Sequence, residues 1–376
     1  MLFFKVKQFM KMVTQHIILP SVYNFYRRKT VSKKLVIFAD AHHNTLPPSM
    51  RYMYEKIKAD GYTVLEFFLD FGNSSVIQII KHMISFMKAY AQAGCVFLCD
   101  YYLPASSCEK KAETVLVQLW HACGAYKKFG YDAKDDIPNM YKGKLFKNCD
   151  LVTVSASYCV PIYTNAMRVP EGVVNATGIS RTDIFYDVNY QKENKKQFYE
   201  EYPQAKGKKL LLWAPTFRGN AANPIVYGLD TILKVQEFYK NEWYIIIKVH
   251  PHVEAKQKIS NCTMDTENLL SFIDLLVTDY SSILFDYLLF EKPFLLFAED
   301  FGKYESERGF YLDINSFPGK ILTTEIELIQ AINQNFSEEY RKELKFCREY
   351  HMGSCDGMAT ERIIKWIREK YLNNIN

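Results

Sequence analysis

The sequence predicts an α/β fold of two doubly wound parallel-sheet domains with a cleft between them, preceded by a basic amphipathic segment. Three observations lead there. From Lys34 onward, short apolar runs closed by small, acidic or glycine residues alternate with helical stretches such as 75–93, which is the pattern of strands joined by crossover helices. A lysine-rich charged stretch, NYQKENKKQFYEEYPQAKGKK, interrupts the series at 189–209, and the apolar runs then resume with the same character. The 376 residues are enough for two full cores and too many for one compact α/β unit.

The first series reads KLVIFADA, GYTVLEFFLD, GCVFLCD, TVLVQLWH, CDLVTVSA and GVVNATG; the second reads LLLWAPT, WYIIIKVHP, IDLLVTD, PFLLFAED and ILTT. Their length and branching suit interior strands buried on both faces. The expected organisation is a basic segment over 1–33, a first domain over 34–190, a second over 191–355, and a closing helix over 356–376 that crosses back to the first domain.

Composition narrows the function classes. At 48% hydrophobic and 24% charged, without low-complexity tracts, the chain is globular rather than disordered. Nine scattered cysteines lack any CxxC pair or Cys/His ligand spacing, so a reduced protein without a zinc site is expected. Residues 1–34 carry eight Lys or Arg and no acid, so that segment is +8 and, by subtraction from the net +5, the remainder is −3. A basic excess confined to one end argues against nucleic acid as a partner. On a helical projection Leu2, Val6, Phe9, Met10, Val13 and Ile17 share an arc opposite Lys7, Gln8, Lys11 and Gln15. Two readings stay open: an in-plane anchor on an anionic membrane surface, which would make the protein peripheral on the cytoplasmic face, or a helix packed on its own domain.

Strand ends are where open parallel sheets bind ligands, and several polar residues fall there. His121 follows the run Val115–Leu119 and precedes the turn allowed by Gly124. A catalytic imidazole and a structural one both fit that position. LLWAPTFRG places Thr216, Arg218 and Gly219 after a strand stopped by Pro215, and the planar fork of Arg218 suits paired phosphate oxygens. IIIKVHPH does the same with His250, while Lys248 is free to face into or away from the sheet. In IDLLVTDYSSILFDYLLFEKP a strand ends at Thr278 and Asp279, and Ser281 and Ser282 open a helix expected to run to Glu291, offering hydroxyls and free amides to an anion. HMGSCDGMATERI sets Asp356, Gly357, Thr360 and Arg362 at another loop-to-helix junction; Asp356 alone also fits a plain helix cap. There is no P-loop, no GxGxxG at a strand end and no DxD pair; KDDIP at 134–138 reads as a solvated turn. Charge on a phosphate would be met by histidine, arginine and helix dipoles, with no metal or other cofactor expected.

Taken in order, WHACG..KK, GISRTDIFYD, LLWAPTFR, KVHPH, VTDYSSILFDY..FEKP, ERGFY and DGMATERI resemble the CDP-glycerol glycerophosphotransferase family of teichoic acid and capsule synthesis, over roughly residues 115 to 367. The resemblance implies a GT-B fold of two Rossmann-like domains. It also implies transfer of a polyol phosphate, glycerol or ribitol, from a CDP-activated donor to a hydroxyl of a lipid-linked or glycan acceptor, with release of CMP. By the same resemblance His121 matches the catalytic base and His250, Arg218, Ser281 and Ser282 match binders of the donor phosphates. Thr278, Asp279, Asp356 and Thr360 would lie around the nucleotide. His42, His43 and Asn44 in DAHHNTLPPSMRYMYE, with Arg181 and Asp183 of GISRTDIFYD, are the acceptor-side candidates. Two departures bear on acceptor choice: the turn after Trp120-His121 carries Ala122 and Cys123 before Gly124, and Ser180 replaces the family's usual proline. The alternatives are a GT-B glycosyltransferase using a nucleotide sugar, which donor competition would separate, and a non-catalytic polymer-binding module, which a test of donor turnover would settle. Two domains with no third suit a primase or linker enzyme better than a processive polymerase.

Overall fold

Apolar strands covered on both faces build the centre of each unit. The computed structural model describes residues 12–133, 137, 144–220, 223–301, 309–334 and 336–373. It divides into two compact units: 1–122, 130–183 and 354–376 form the first, 123–129 and 184–353 the second. The division at Asp183/Ile184 precedes the charged stretch, and the short loop 123–129 leaves the first unit, two differences from the boundaries read off the sequence.

The first unit holds six parallel strands, β1 (Ser32–Asp40), β2 (Thr63–Phe68), β3 (Ala93–Leu98), β4 (Val115–Gln118), β5 (Leu151–Thr153) and β6 (Val174–Asn175), in the order β2-β1-β3-β4-β5-β6. Alternate residues go to opposite faces. Ile37, Ala39, Val96, Leu98 and Leu116 meet Leu19, Tyr23, Met83, Phe86, Met87 and Tyr90 on one side. Val36, Phe38, Cys95, Phe97, Val115 and Val117 meet Met50, Met53 and Ile57 on the other, together with Ile363, Ile364 and Ile367 of the helix Ala359–Asn373. That C-terminal helix is therefore part of the first unit's core. Its N-terminus is held by Asp183, whose buried carboxylate accepts from the amides of Ala359 and Thr360 at 3.0 and 2.7 Å. Burial pushes the Asp183 carboxyl up, against the pull of those hydrogen bonds.

Residues 1–11, which carry most of the expected apolar arc, lie outside the described residues. A π-helical turn, Thr14–Ile18, continues into the helix Leu19–Tyr26. Leu19 and Tyr23 are core residues, and the Tyr23 hydroxyl accepts from the Lys111 amide at 2.9 Å. Met12, Ile17 and Phe25 are exposed on the same segment, Phe25 at 76%.

The second unit has five parallel strands, β7 (Lys209–Trp213), β10 (Trp243–Ile247), β11 (Leu275–Thr278), β12 (Phe294–Phe297) and β13 (Ile321–Leu322), ordered β10-β7-β11-β12-β13. A small antiparallel ribbon, β8 (Arg218–Asn220) with β9 (Asn223–Ile225), follows β7. Leu211, Trp213, Ile245, Ile247, Leu275, Val277 and Phe297 form one face of the core with Ile232, Val235, Leu328 and Ile332. The helix opened by the serine pair covers Ile283–Leu288, and a left-handed Glu291 (φ 49°) closes the turn that follows it before Pro293.

His351, on the helix Glu338–Met352, is 3% exposed and sits between the rings of Phe285 and Phe317, 5.3 and 5.0 Å away. Burial pushes its imidazole down from 6.5 to about 4. Between those values the unfolded chain binds a proton that the folded one refuses, so this stability is present above pH 6.5 and lost as pH falls toward 4. The second unit should lose about 2 kcal/mol at pH 5 from this group, and His351→Leu should flatten that part of the pH dependence in urea titrations at pH 7 and 5.

Candidate active site

In the first sheet β2 lies to one side of β1 and β3 to the other, so the strand order reverses between β1 and β3, the place where open α/β sheets bind ligands. The residues leaving the C-terminal ends of β1, β3 and β4 converge at this edge. Asp40 is 1% exposed and organises the first loop: its Oδ2 accepts from the amides of His42 and His43 and lies 2.8 Å from His43 Nδ1. The Cys99 thiol donates to its other oxygen at 3.5 Å. Asn44 accepts from the Asp70 amide at 3.0 Å and so shapes the neighbouring loop.

His121 reaches the same edge through a strained turn. Leu119 closes the ladder onto the Leu98 carbonyl, and Trp120 then takes a left-handed conformation, φ 58°, rare for a bulky side chain and costing about 1–3 kcal/mol. The Trp120 amide donates to Gln118 Oε1 at 3.1 Å, and the indole lies against the His121 ring at 4.6 Å. Arg181, buried, donates from Nε to the His121 carbonyl at 3.2 Å. The imidazole, about half exposed, has Nδ1 3.3 Å from the Cys99 carbonyl and 3.4 Å from Asp100 Oδ2. His42 Nε2 lies 3.8 Å from that same carboxylate oxygen. Thus His42, His43, Arg181 and His121 come together, while Asn44 is spent on loop geometry and Asp183 on the closing helix.

In the second sheet the order reverses between β7 and β11. His250 is exposed after β10, with its ring 4.6 Å from that of Phe217 in the loop after β7. Ser281 and Ser282 follow β11; Ser281 Oγ is 3.5 Å from the Ile283 amide, and Ser282, in the N-cap position, makes no capping bond with its side chain. The loop 123–129 supplies Lys127, whose Nζ donates to Thr216 Oγ1 at 3.2 Å. Gly124 of this loop (φ 66°) packs against Phe285 so closely that a Cβ would lie 2.5 Å from the ring.

Several expected donor ligands have other employment. Arg218 donates from Nε and Nη2 to both oxygens of Asp300 at 2.7 and 2.8 Å, from Nη1 to the Thr216 carbonyl, and lies 3.0 Å from Asp279 Oδ2. Burial would depress its pKa, but the hydrogen bonds and charges of Asp300 and Asp279 outweigh this and hold it above its ordinary value. The guanidinium is thus engaged by two carboxylates and a main-chain carbonyl. Asp279 also accepts from the Thr216 amide, and Thr278 Oγ1 donates to the Ala214 carbonyl, so both fasten β11 to the end of β7. Lys248 donates to the Cys262 carbonyl at 2.9 Å. The DGMATER motif belongs to the first unit: Asp356 accepts from Met358 and Arg362, Arg362 donates to the Thr177 carbonyl, and buried Thr360 pairs with Ser180 at 2.8 Å. These contacts fasten the closing helix. Among the described residues no group of three or more His, Cys, Asp or Glu could hold a metal ion.

The family model for CDP-Glycerol:Poly(glycerophosphate) glycerophosphotransferase matches residues 21–369. The chain belongs to this family. It is 31% identical to the teichoic acid ribitol-phosphate primase of Bacillus spizizenii, covering 88% of this chain and 90% of that protein. It is 30% identical to the teichoic acid poly(ribitol-phosphate) polymerase of the same organism, covering 92% of this chain and 58% of that protein. The solved structure of the wall teichoic acid polymerase TagF superposes with a TM-score of 0.74 at 20% identity, covering 99% of this chain and 100% of that one. The two Rossmann-like units are those of the GT-B fold.

Sequence reasoning missed Asp100, Asp40 and Asp300, and gave Lys127 no role of its own. A signal existed for the three acids, since each closes an apolar run: KLVIFAD, GCVFLCD and PFLLFAED. Lys127 stands in the WHACG..KK motif, but nothing local says that its loop joins the second unit. Arg218→Met should leave Asp279 and Asp300 buried without a counter-charge and lower stability by about 3–5 kcal/mol in urea unfolding, whereas Arg218→Lys, which keeps the charge, should cost less.

Proposed function

We propose that the protein transfers a polyol phosphate from a CDP-activated donor to a hydroxyl of a lipid-linked acceptor in teichoic acid synthesis. Near-complete mutual coverage with a ribitol-phosphate primase carries this reading and favours CDP-ribitol over CDP-glycerol as donor. The acceptor oxygen attacks the donor's β-phosphorus in line; the new P–O bond forms as the bond to CMP breaks. The acceptor's proton passes to His121 of the first unit, which acts as general base. In the second unit His250, Lys127, Ser281 and Ser282 are the groups that meet the donor phosphates and the charge that builds on departing CMP.

Attachment to the membrane surface is part of the same proposal. The acid-free basic segment and the exposed Met12, Ile17 and Phe25 support it, since an apolar face flanked by lysines suits an anionic interface. Among the described residues no helix is long and apolar enough to cross a membrane.

CMP release from CDP-ribitol, CDP-glycerol and UDP-sugars, with membrane extract as acceptor, should be fastest with CDP-ribitol; turnover of a UDP-sugar alone would overturn the reaction class. His121→Ala should lower kcat by roughly 100-fold to 10,000-fold with donor affinity nearly unchanged. His250→Ala should weaken donor binding as well as rate, because its partner is present in the ground state. For the membrane, Ile17→Ser with Phe25→Ser should reduce sedimentation with anionic vesicles while leaving the core residues Leu19 and Tyr23 in place; equal sedimentation would remove this surface from the attachment.

A further inference from the structure

We propose that Asp100 is a positioning residue that holds His121 in the tautomer required of a base; this rests on His121 being that base. His121 Nδ1 lies 3.3 Å from the Cys99 carbonyl and 3.4 Å from Asp100 Oδ2. A carbonyl cannot donate, and an ionised carboxylate only accepts. Nδ1 therefore carries the ring proton, and the lone pair is on Nε2. Both separations are long for a hydrogen bond, as is common for a catalytic pair before substrate arrives.

Asp100 is itself held. Its Oδ1 accepts from the Tyr101 amide at 2.7 Å, which leaves Oδ2 directed at the histidines. Gln118, 1% exposed, spans the two strand ends: its Nε2 donates to the Asp100 carbonyl at 3.1 Å and its Oε1 accepts from the Trp120 amide at 3.1 Å. One side chain thus sets the spacing between the residue that carries the carboxylate and the turn that carries the imidazole. When the acceptor hydroxyl gives its proton to Nε2, the ring becomes an imidazolium. Asp100 stays ionised beside it and offsets the new charge, with no proton passing to the carboxylate. His42 Nε2 lies 3.8 Å from the same oxygen.

The test combines nitrogen NMR of the full-length chain labelled at histidine with CMP-release kinetics. His121→Gln assigns the His121 signals. The wild type should show a protonated Nδ1 and an unprotonated Nε2 at a pH where the ring is neutral. Asp100→Asn, whose amide can donate to Nδ1, should move the ring toward the Nε2–H tautomer. It should also lower kcat about 100-fold to 10,000-fold with donor KM within about twofold, and Asp100→Glu should recover at least about tenfold of that loss. An Nε2–H tautomer in the wild type overturns the proposal without any variant having to fold. A fully active Asp100→Asn beside an inactive His121→Ala overturns the positioning role alone, whereas a fully active His121→Ala overturns the base assignment itself.

Discussion

Burial of β1, β3 and β4 on both faces is the constraint on which the first unit's site depends. Each strand sends alternate side chains into two different cores, one lined by Tyr23, Phe86 and Tyr90 and the other by Met50, Met53 and the isoleucines of the closing helix. A slip of one residue would exchange Phe38 with Ala39 between cores of different shape, so the register is strongly specified. With Ala39 opposite Leu98 and Leu98 opposite Gln118, the three strands end level. Asp40, Asp100 and His121 therefore leave the sheet at one edge, and the polar cluster follows from apolar packing below it.

Buried carboxylates then fix the loops that this register brings together. Asp40 gathers the amides of His42 and His43, Asp183 those of Ala359 and Thr360, and Asp279 that of Thr216. In each case a buried acid satisfies backbone donors of a loop or helix start; where such a donor is buried, leaving it without a partner costs about 1–3 kcal/mol. The Asp279–Arg218–Asp300 group extends the pattern to a charged side chain. Asp40 and Asp100 combine this anchoring of main chain with a carboxylate oxygen turned to an imidazole, His43 for the first and His121 with His42 for the second.

Much of this was legible in the residues. The strands, their parallel order and the strand-end positions of His121, His250 and the serine pair all follow from local pattern, because period and turn chemistry are local properties. Residue roles were less legible where two chemistries use the same side chain. Arg218 in a strand-end loop reads equally as a phosphate fork or as a surface arginine, and the carboxylates it pairs with, Asp279 and Asp300, lie 61 and 82 positions away along the chain.

By itself, then, the sequence determined two parallel α/β units, their buried strands and a set of polar residues at strand ends, since alternation, branching and capping act over a few neighbours. Tertiary structure decided the rest: that 123–129 joins the second unit with Lys127, that the DGMATER segment fastens the closing helix to the first, and that Asp100 faces His121. Those outcomes depend on which strands become neighbours and in what register, and that is settled by the burial of whole faces against residues far away in the chain.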